Sequence, residues 1–148
     1  MQNGVTAAAP GIKSFLDAEL ARLNLSPERL ILAGFSQGTM LALHVGLRRA
    51  VPPAAIVGFS GLLAAPPPAE GKRPPVLLTH GDADTVIPAA AMFAAATGLG
   101  AAGVPVQWHL TRGMGHGIDQ DSLVMAGLFM ALAFGGHLRT EGPVSSPL

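Results

Sequence analysis

The sequence predicts an α/β domain of about four mainly parallel strands, flanked by helices on both faces. Short, continuous apolar runs alternate with longer stretches of helical periodicity. Most of the runs lack apolar–polar alternation, as strands buried on both faces do. The 148-residue chain is 49% hydrophobic and only 12% charged, a composition that builds a core rather than a disordered segment.

Ile12, Phe15, Leu16, Leu20 and Leu23 share one face of a first helix that ends near Asn24. Ser26-Pro27-Glu28 turns the chain into a first strand, Arg29 to Phe35, whose unbroken apolar run suits burial on both faces. Gln37 to Arg49 reads as a second helix, apolar nearly all round and so deeply buried. Ala54 to Phe59 and Val76 to His80 read as two more buried strands, separated by an exposed, proline-rich connection from Ala64 to Pro75. Pro88 suits the first position of a third helix, with Met92, Phe93 and Ala96 facing inward.

From Val104 to Leu110, Val106, Trp108 and Leu110 alternate with Gln107 and His109. With Pro105 near its start, this strand belongs at a sheet edge. Asp119 or Asp121 caps a fourth helix that stops at Gly135-Gly136. The expectation is a single domain over 1–148, with its core at 11–135 and a loose tail at 136–148.

Nine basic and nine acidic residues give zero net charge, and the only basic pairs are Arg48-Arg49 and Lys72-Arg73. That argues against a nucleic acid or an anionic membrane surface as partner. Leu123 to Phe134 is too short to span a bilayer and contains Gly127. The absence of cysteine removes disulfides, thiolate metal sites and cysteine nucleophiles. The first residues lack the pattern of a secretory leader, so a cytoplasmic protein is expected.

The chemistry concentrates in three motifs. Gly34-Phe35-Ser36-Gln37-Gly38 matches G-x-S-x-G, and Gly58-Phe59-Ser60-Gly61-Leu62 is a near-match. Ser36 stands between a buried strand and a long apolar helix, the setting a nucleophile elbow requires. There a tight turn strains the serine backbone and exposes Oγ. A side chain at either Gly34 or Gly38 is expected to collide where strand and helix pass. The Gln37 backbone N–H is placed to meet a developing oxyanion. The plainer reading makes Ser36 only a helix cap.

His80-Gly81-Asp82-Ala83-Asp84 leads out of a strand at its carboxyl end, where α/β sites assemble. Asp84 is the favoured acid, because an acid that fixes a histidine tautomer must be held in place. Asp82, inside the turn, is assigned a supporting role. Of five histidines, His44 and His109 read as structural, His80 as turn packing and His137 as part of the tail. His116, in the Gly113-Met114-Gly115-His116-Gly117 loop, can fold back over the sheet edge as a general base; otherwise it is a solvent-exposed loop residue. The order Ser36, Asp84, His116 is that of α/β-hydrolases.

GFSQGTMLAL, HGDADTVIP and GMGHGI resemble the phospholipase/carboxylesterase branch of the α/β-hydrolases, which includes acyl-protein thioesterases and lysophospholipases. The similarity runs from about Ile12 through Phe134 and takes in Phe59-Ser60-Gly61. The resemblance implies hydrolysis of carboxylic esters or thioesters with short to medium acyl chains, on a small-molecule substrate and without metal or cofactor. It places Ser36, Asp84 and His116 at catalytic positions and Gln37 at one oxyanion position. Family members carry further N-terminal strands, with an HG-containing loop that gives the second oxyanion donor. No HG precedes Ser36, so the chain resembles a truncated α/β-hydrolase, its C-terminal two-thirds. The first strand should then present a bare edge, which a homo-oligomer would cover. The two readings are a small carboxylesterase, with thioesterase or lysophospholipase as neighbours, and a weakly active remnant serving as an oligomerising or binding module.

Overall fold

The apolar runs become four strands: β1 (Ile31–Phe35), β2 (Ala55–Phe59), β3 (Val76–Gly81) and β4 (Val106–Thr111). They pair in chain order, β1-β2-β3-β4, and every pairing is parallel. The computed structural model describes residues 2–138, so most of the expected tail, 139–148, lies outside the described residues. Helices α1 (Gln2–Arg22), α2 (Gln37–Gly46), α3 (Ala90–Ala101) and α4 (Gln120–Phe134) complete the architecture. Parallel neighbours need long crossovers: α2 and α3 lie in two of these, and the third, Ser60 to Pro75, is irregular.

Alternate strand residues point to opposite faces, and each face has its own core. On one face, Ala42, Leu43 and Leu47 around α2 and Met92, Ala95 and Leu99 of α3 pack on Ile56, Val76 and Leu78. On the other, Ala126 and Phe129 of α4 pack on Ala55, Val57, Phe59 and Leu77. Asp119, not Asp121, caps α4: its carboxylate accepts the Ser122 N–H at 2.9 Å.

Several expectations are corrected. β2 and β3 are buried throughout, but Ala33 and Phe35 of β1 are exposed. The reason is position: β1 forms a sheet edge, and α4 packs on β2 and β3 rather than over it. β1 also begins at Ile31, because Pro27–Arg29 forms a 3₁₀ turn. The first helix begins at Gln2 and runs through Pro10, well ahead of the predicted core boundary. It packs on α2, with Val5 beside Met40; Val5 and Leu20 are buried and Ala9 and Leu16 half-buried, whereas Ile12, Phe15 and Leu23 are exposed. Among the described residues no further layer covers α1, so only one stripe of it is buried. α2 stops at Gly46, short of Arg49.

α3 starts at Ala90, two residues past Pro88, with Met92 buried and Phe93 exposed. Phe93 instead meets Trp108 edge-on, with ring centroids 5.0 Å apart. β4 is an edge strand, as its alternation predicts. The proline-rich connection is not exposed throughout. Arg73 to Pro75 are buried, and the Arg73 guanidinium closes the loop by donating to the Pro68 and Ala69 carbonyls. Among the described residues no helix is long and apolar enough to cross a membrane.

Leu43 is fully buried and Ile12 is 38% exposed. Leu43→Ala is therefore expected to cost about 2–5 kcal/mol, and Ile12→Ala to stay within about 0.5 kcal/mol of the parent. Urea unfolding of the two variants checks the assignment of the core.

Candidate active site

The register decides what meets at the rim of the sheet. Phe35 is level with Phe59, and Phe59 with Thr79, so the turns after β1, β2 and β3 emerge side by side. Ser36 follows β1 directly and has φ 55° and ψ −115°, a backbone region costly for any residue with a side chain. Gly34 makes this turn possible: a Cβ there would lie 2.1 Å from the Gly38 carbonyl carbon. The matching expectation for Gly38 fails, because a Cβ on Gly38 would meet nothing within 4 Å. The crowding is one-sided. Position 34 faces the helix backbone, and position 38 faces open space.

Ser36 makes no side-chain cap bond to α2. Its Oγ lies 3.1 Å from His116 Nε2, and His116 Nδ1 lies 2.8 Å from Asp84 Oδ2. A carboxylate can only accept here, so Nδ1 donates to Asp84 and Nε2 is left to accept the Ser36 hydroxyl proton. Asp84 Oδ1 accepts the Val86 and Ile87 amides, each at 2.9 Å. Burial pushes the Asp84 carboxyl up. The His116 N–H and the Ile87 and Val86 amides outweigh it and hold the group below the usual carboxylate range. The Phe35 ring flanks His116, with centroids 4.9 Å apart. Gln37 opens α2, where the first amides have no intrahelical acceptor.

The loop carrying His116 is tied on both sides. Asp82 Oδ1 accepts the Gly113 N–H at 2.6 Å, and the Ser60 hydroxyl donates to the Gly117 carbonyl at 2.8 Å. At Gly81 a Cβ would sit 2.0 Å from the Met114 carbonyl oxygen, so the loop lies directly against the end of β3. Beneath the elbow, the Thr39 hydroxyl lies 2.8 Å from the Gly34 carbonyl and 2.9 Å from that of Phe59, stapling α2 to both strand ends.

Sequence reasoning set Gly58-Phe59-Ser60 aside, yet it has a structural role. Gly34 pairs with Gly58 and Phe35 with Phe59, so two Gly-Phe-Ser segments lie in register and both serines have positive φ. The repeated tripeptide is the signal that marks Ser60. His80 also lies deeper in the site than turn packing requires, with Nε2 3.2 Å from Asp84 Oδ2. His44 on α2, His109 within β4 and His137 beyond α4 lie elsewhere in the fold. Among the described residues no group of His, Cys, Asp or Glu could hold a metal ion.

Gly34→Ala is expected to abolish the native fold, whereas Gly38→Ala should keep it with stability within about 1 kcal/mol of the parent. Circular dichroism and thermal melts distinguish the two. The Asp84 carboxyl has a folded pKa below its unfolded value of about 3.9, so its stabilisation is present above that pH and is lost as pH falls through the folded value. Asp84→Asn should flatten the acid side of the stability curve, read from urea midpoints at decreasing pH.

The profile of the phospholipase/carboxylesterase family matches residues 1–133. Acyl-protein thioesterase 1 of Schizosaccharomyces pombe is 36% identical over 101 residues, 64% of this chain and 45% of that protein. Carboxylesterase SOBER1 of Arabidopsis thaliana is 29% identical over 128 residues, 82% of this chain and 56% of that protein. The crystal structure of esterase PE8 superposes with a TM-score of 0.82 at 41% identity, covering 87% of this chain and 61% of that one. The chain spans about half the length of the curated relatives it matches. With a matching profile over most of its residues and the parallel sheet of its relatives, the chain belongs to the phospholipase/carboxylesterase family of α/β-hydrolases.

Proposed function

We propose that this chain is a serine hydrolase that cleaves carboxylic esters with short to medium acyl chains through an acyl-enzyme intermediate. The observation that carries the reading is the unbroken relay from Asp84 through His116 to Ser36, at 2.8 and 3.1 Å, on a serine held in a strained elbow. His116 takes the Ser36 proton as Oγ attacks the acyl carbon, while Asp84 holds the ring and stabilises the imidazolium. The Gln37 N–H, at the positive end of α2, stabilises the oxyanion. His116 then protonates the leaving alcohol. A water, deprotonated by the same nitrogen, attacks the acyl carbon, and His116 returns that proton to Ser36 Oγ as the acyl–Oγ bond breaks and the carboxylic acid leaves. The relatives named as a carboxylesterase and an esterase support the ester substrate, and the acyl-protein thioesterase makes a thioester the nearest alternative.

A second reading rests on β1. Its outer edge has no partner strand among the described residues, and Ile31 to Phe35 contain neither charge nor proline to blunt it. We propose that two copies associate through this edge, whether or not turnover is fast.

Ser36→Ala and His116→Ala should each lower p-nitrophenyl butyrate hydrolysis by about 10³-fold or more. Undiminished hydrolysis by Ser36→Ala would remove Ser36 from the mechanism. Light scattering should give twice the chain mass, reduced to one chain by Ala33→Lys; a monomeric parent contradicts association through β1.

A further inference from the structure

His80 stands next to last in β3 with its ring 1% exposed. Its Nε2 lies 2.7 Å from the Ile87 carbonyl oxygen. A carbonyl can only accept, so the proton is on Nε2, and Nδ1 is left bare, buried and without a hydrogen-bond partner. The same Nε2 lies 3.2 Å from Asp84 Oδ2, the oxygen that accepts His116 Nδ1–H. Ile87, whose carbonyl accepts the His80 Nε2–H, donates its own amide to Asp84 Oδ1. The contacts close a ring: His80 to Ile87, Ile87 to Asp84, Asp84 to His80.

We propose that His80 is a positioning residue, whose Nε2–H holds the Ile87 backbone and through it fixes the Asp84 carboxylate in the orientation that His116 requires. The proposal rests on the reading of Ser36, His116 and Asp84 as a catalytic relay. If His80 only filled the turn, its ring volume would suffice and the placement of Nε2–H would be incidental. Instead that N–H is given to the residue whose own amide holds Asp84 Oδ1. The Ile87 contact holds the backbone that presents two amides to Oδ1, and the His80 ring lies against Oδ2 at 3.2 Å. Without them the carboxylate can turn about its Cβ–Cγ bond, carrying Oδ2 away from His116. A displacement of about 1 Å of this kind can cost about 10²-fold in rate. Because His80 is sealed from solvent, the loss should fall on kcat and spare KM.

Two amide substitutions isolate the N–H. His80→Gln can place a side-chain N–H near the Nε2 position, whereas His80→Asn reaches only the Nδ1 position and leaves the first empty. The kcat and KM for p-nitrophenyl butyrate form the first readout. The expectation is a kcat about 10–100-fold lower for the Asn variant at nearly constant KM, with most of it restored in the Gln variant. The second readout is the NMR signal of the proton between His116 and Asp84, which needs no turnover. It should persist in the parent and the Gln variant and broaden or shift in the Asn variant. A parent that neither labels at Ser36 nor hydrolyses the ester defeats the functional reading, while this signal still decides the role of His80.

Equal kcat and an unchanged signal in His80→Asn would overturn the proposal, as would equal impairment of both folded variants. If only the Gln variant folds, retention of the signal supports the proposal and its loss overturns it. If neither folds, His80 is a packing residue and the proposal fails.

Discussion

The parallel register is the constraint on which the rest of the site depends. Because Gly34 and Phe35 stand level with Gly58 and Phe59, the chain leaves β1 and β2 at the same height and turns in the same strained manner. The first turn presents Ser36. The second presents Ser60, whose hydroxyl holds the loop that carries His116. β3 extends to Gly81, whose missing side chain lets that loop lie against the strand end. Residues separated by 80 positions therefore reach hydrogen-bonding distance without any long excursion of the backbone. A slip of one residue between β1 and β2 would separate the two turns and reverse the faces of β1.

Asp84 is the electrostatic centre of this arrangement. A carboxylate with no exposed side-chain surface is costly to bury unless its oxygens are well supplied with donors. Here the amides of Val86 and Ile87 supply Oδ1, and His116 and His80 approach Oδ2. The same bonds serve stability and chemistry. The His116 N–H and the two amides hold the group ionised, and the first leaves His116 with one nitrogen that can only accept. The positive φ angles of Ser36 and Ser60 are strain, typically about 1–3 kcal/mol each, and the surrounding contacts offset it. Thr39 ties both strand ends to α2, and Asp82 and Ser60 anchor the histidine loop.

Much of this is legible in the sequence, and what is not has physical causes. Apolar runs reveal strands because β2 and β3 are buried on both faces, and the Ser36, Asp84 and His116 motifs stand out because special turns need glycine beside a polar residue. The inward face of α1 is misread because periodicity shows that a helix has an apolar stripe but not what lies across from it. Ile12 and Phe15 look like core residues until α1 is seen to bury Val5 and Leu20 instead. Gly34 and Gly38 look equivalent in a motif, yet only the direction of each missing Cβ decides which is required. Ser60 and His80 act through partners 57 and four residues away, respectively, and no local pattern announces such contacts. The bare edge of β1 is expected from the family resemblance and not from composition, because strand order sets which strand lies at an edge.

The central claim is that Ser36 is activated by His116 and Asp84 in this chain as it stands. The most direct measurement is reaction with a fluorophosphonate probe, followed by peptide mass spectrometry to locate the adduct. The account predicts one covalent adduct, on Ser36, whose rate of formation collapses in His116→Ala. An unmodified Ser36, or an adduct that forms at the same rate without His116, would contradict it.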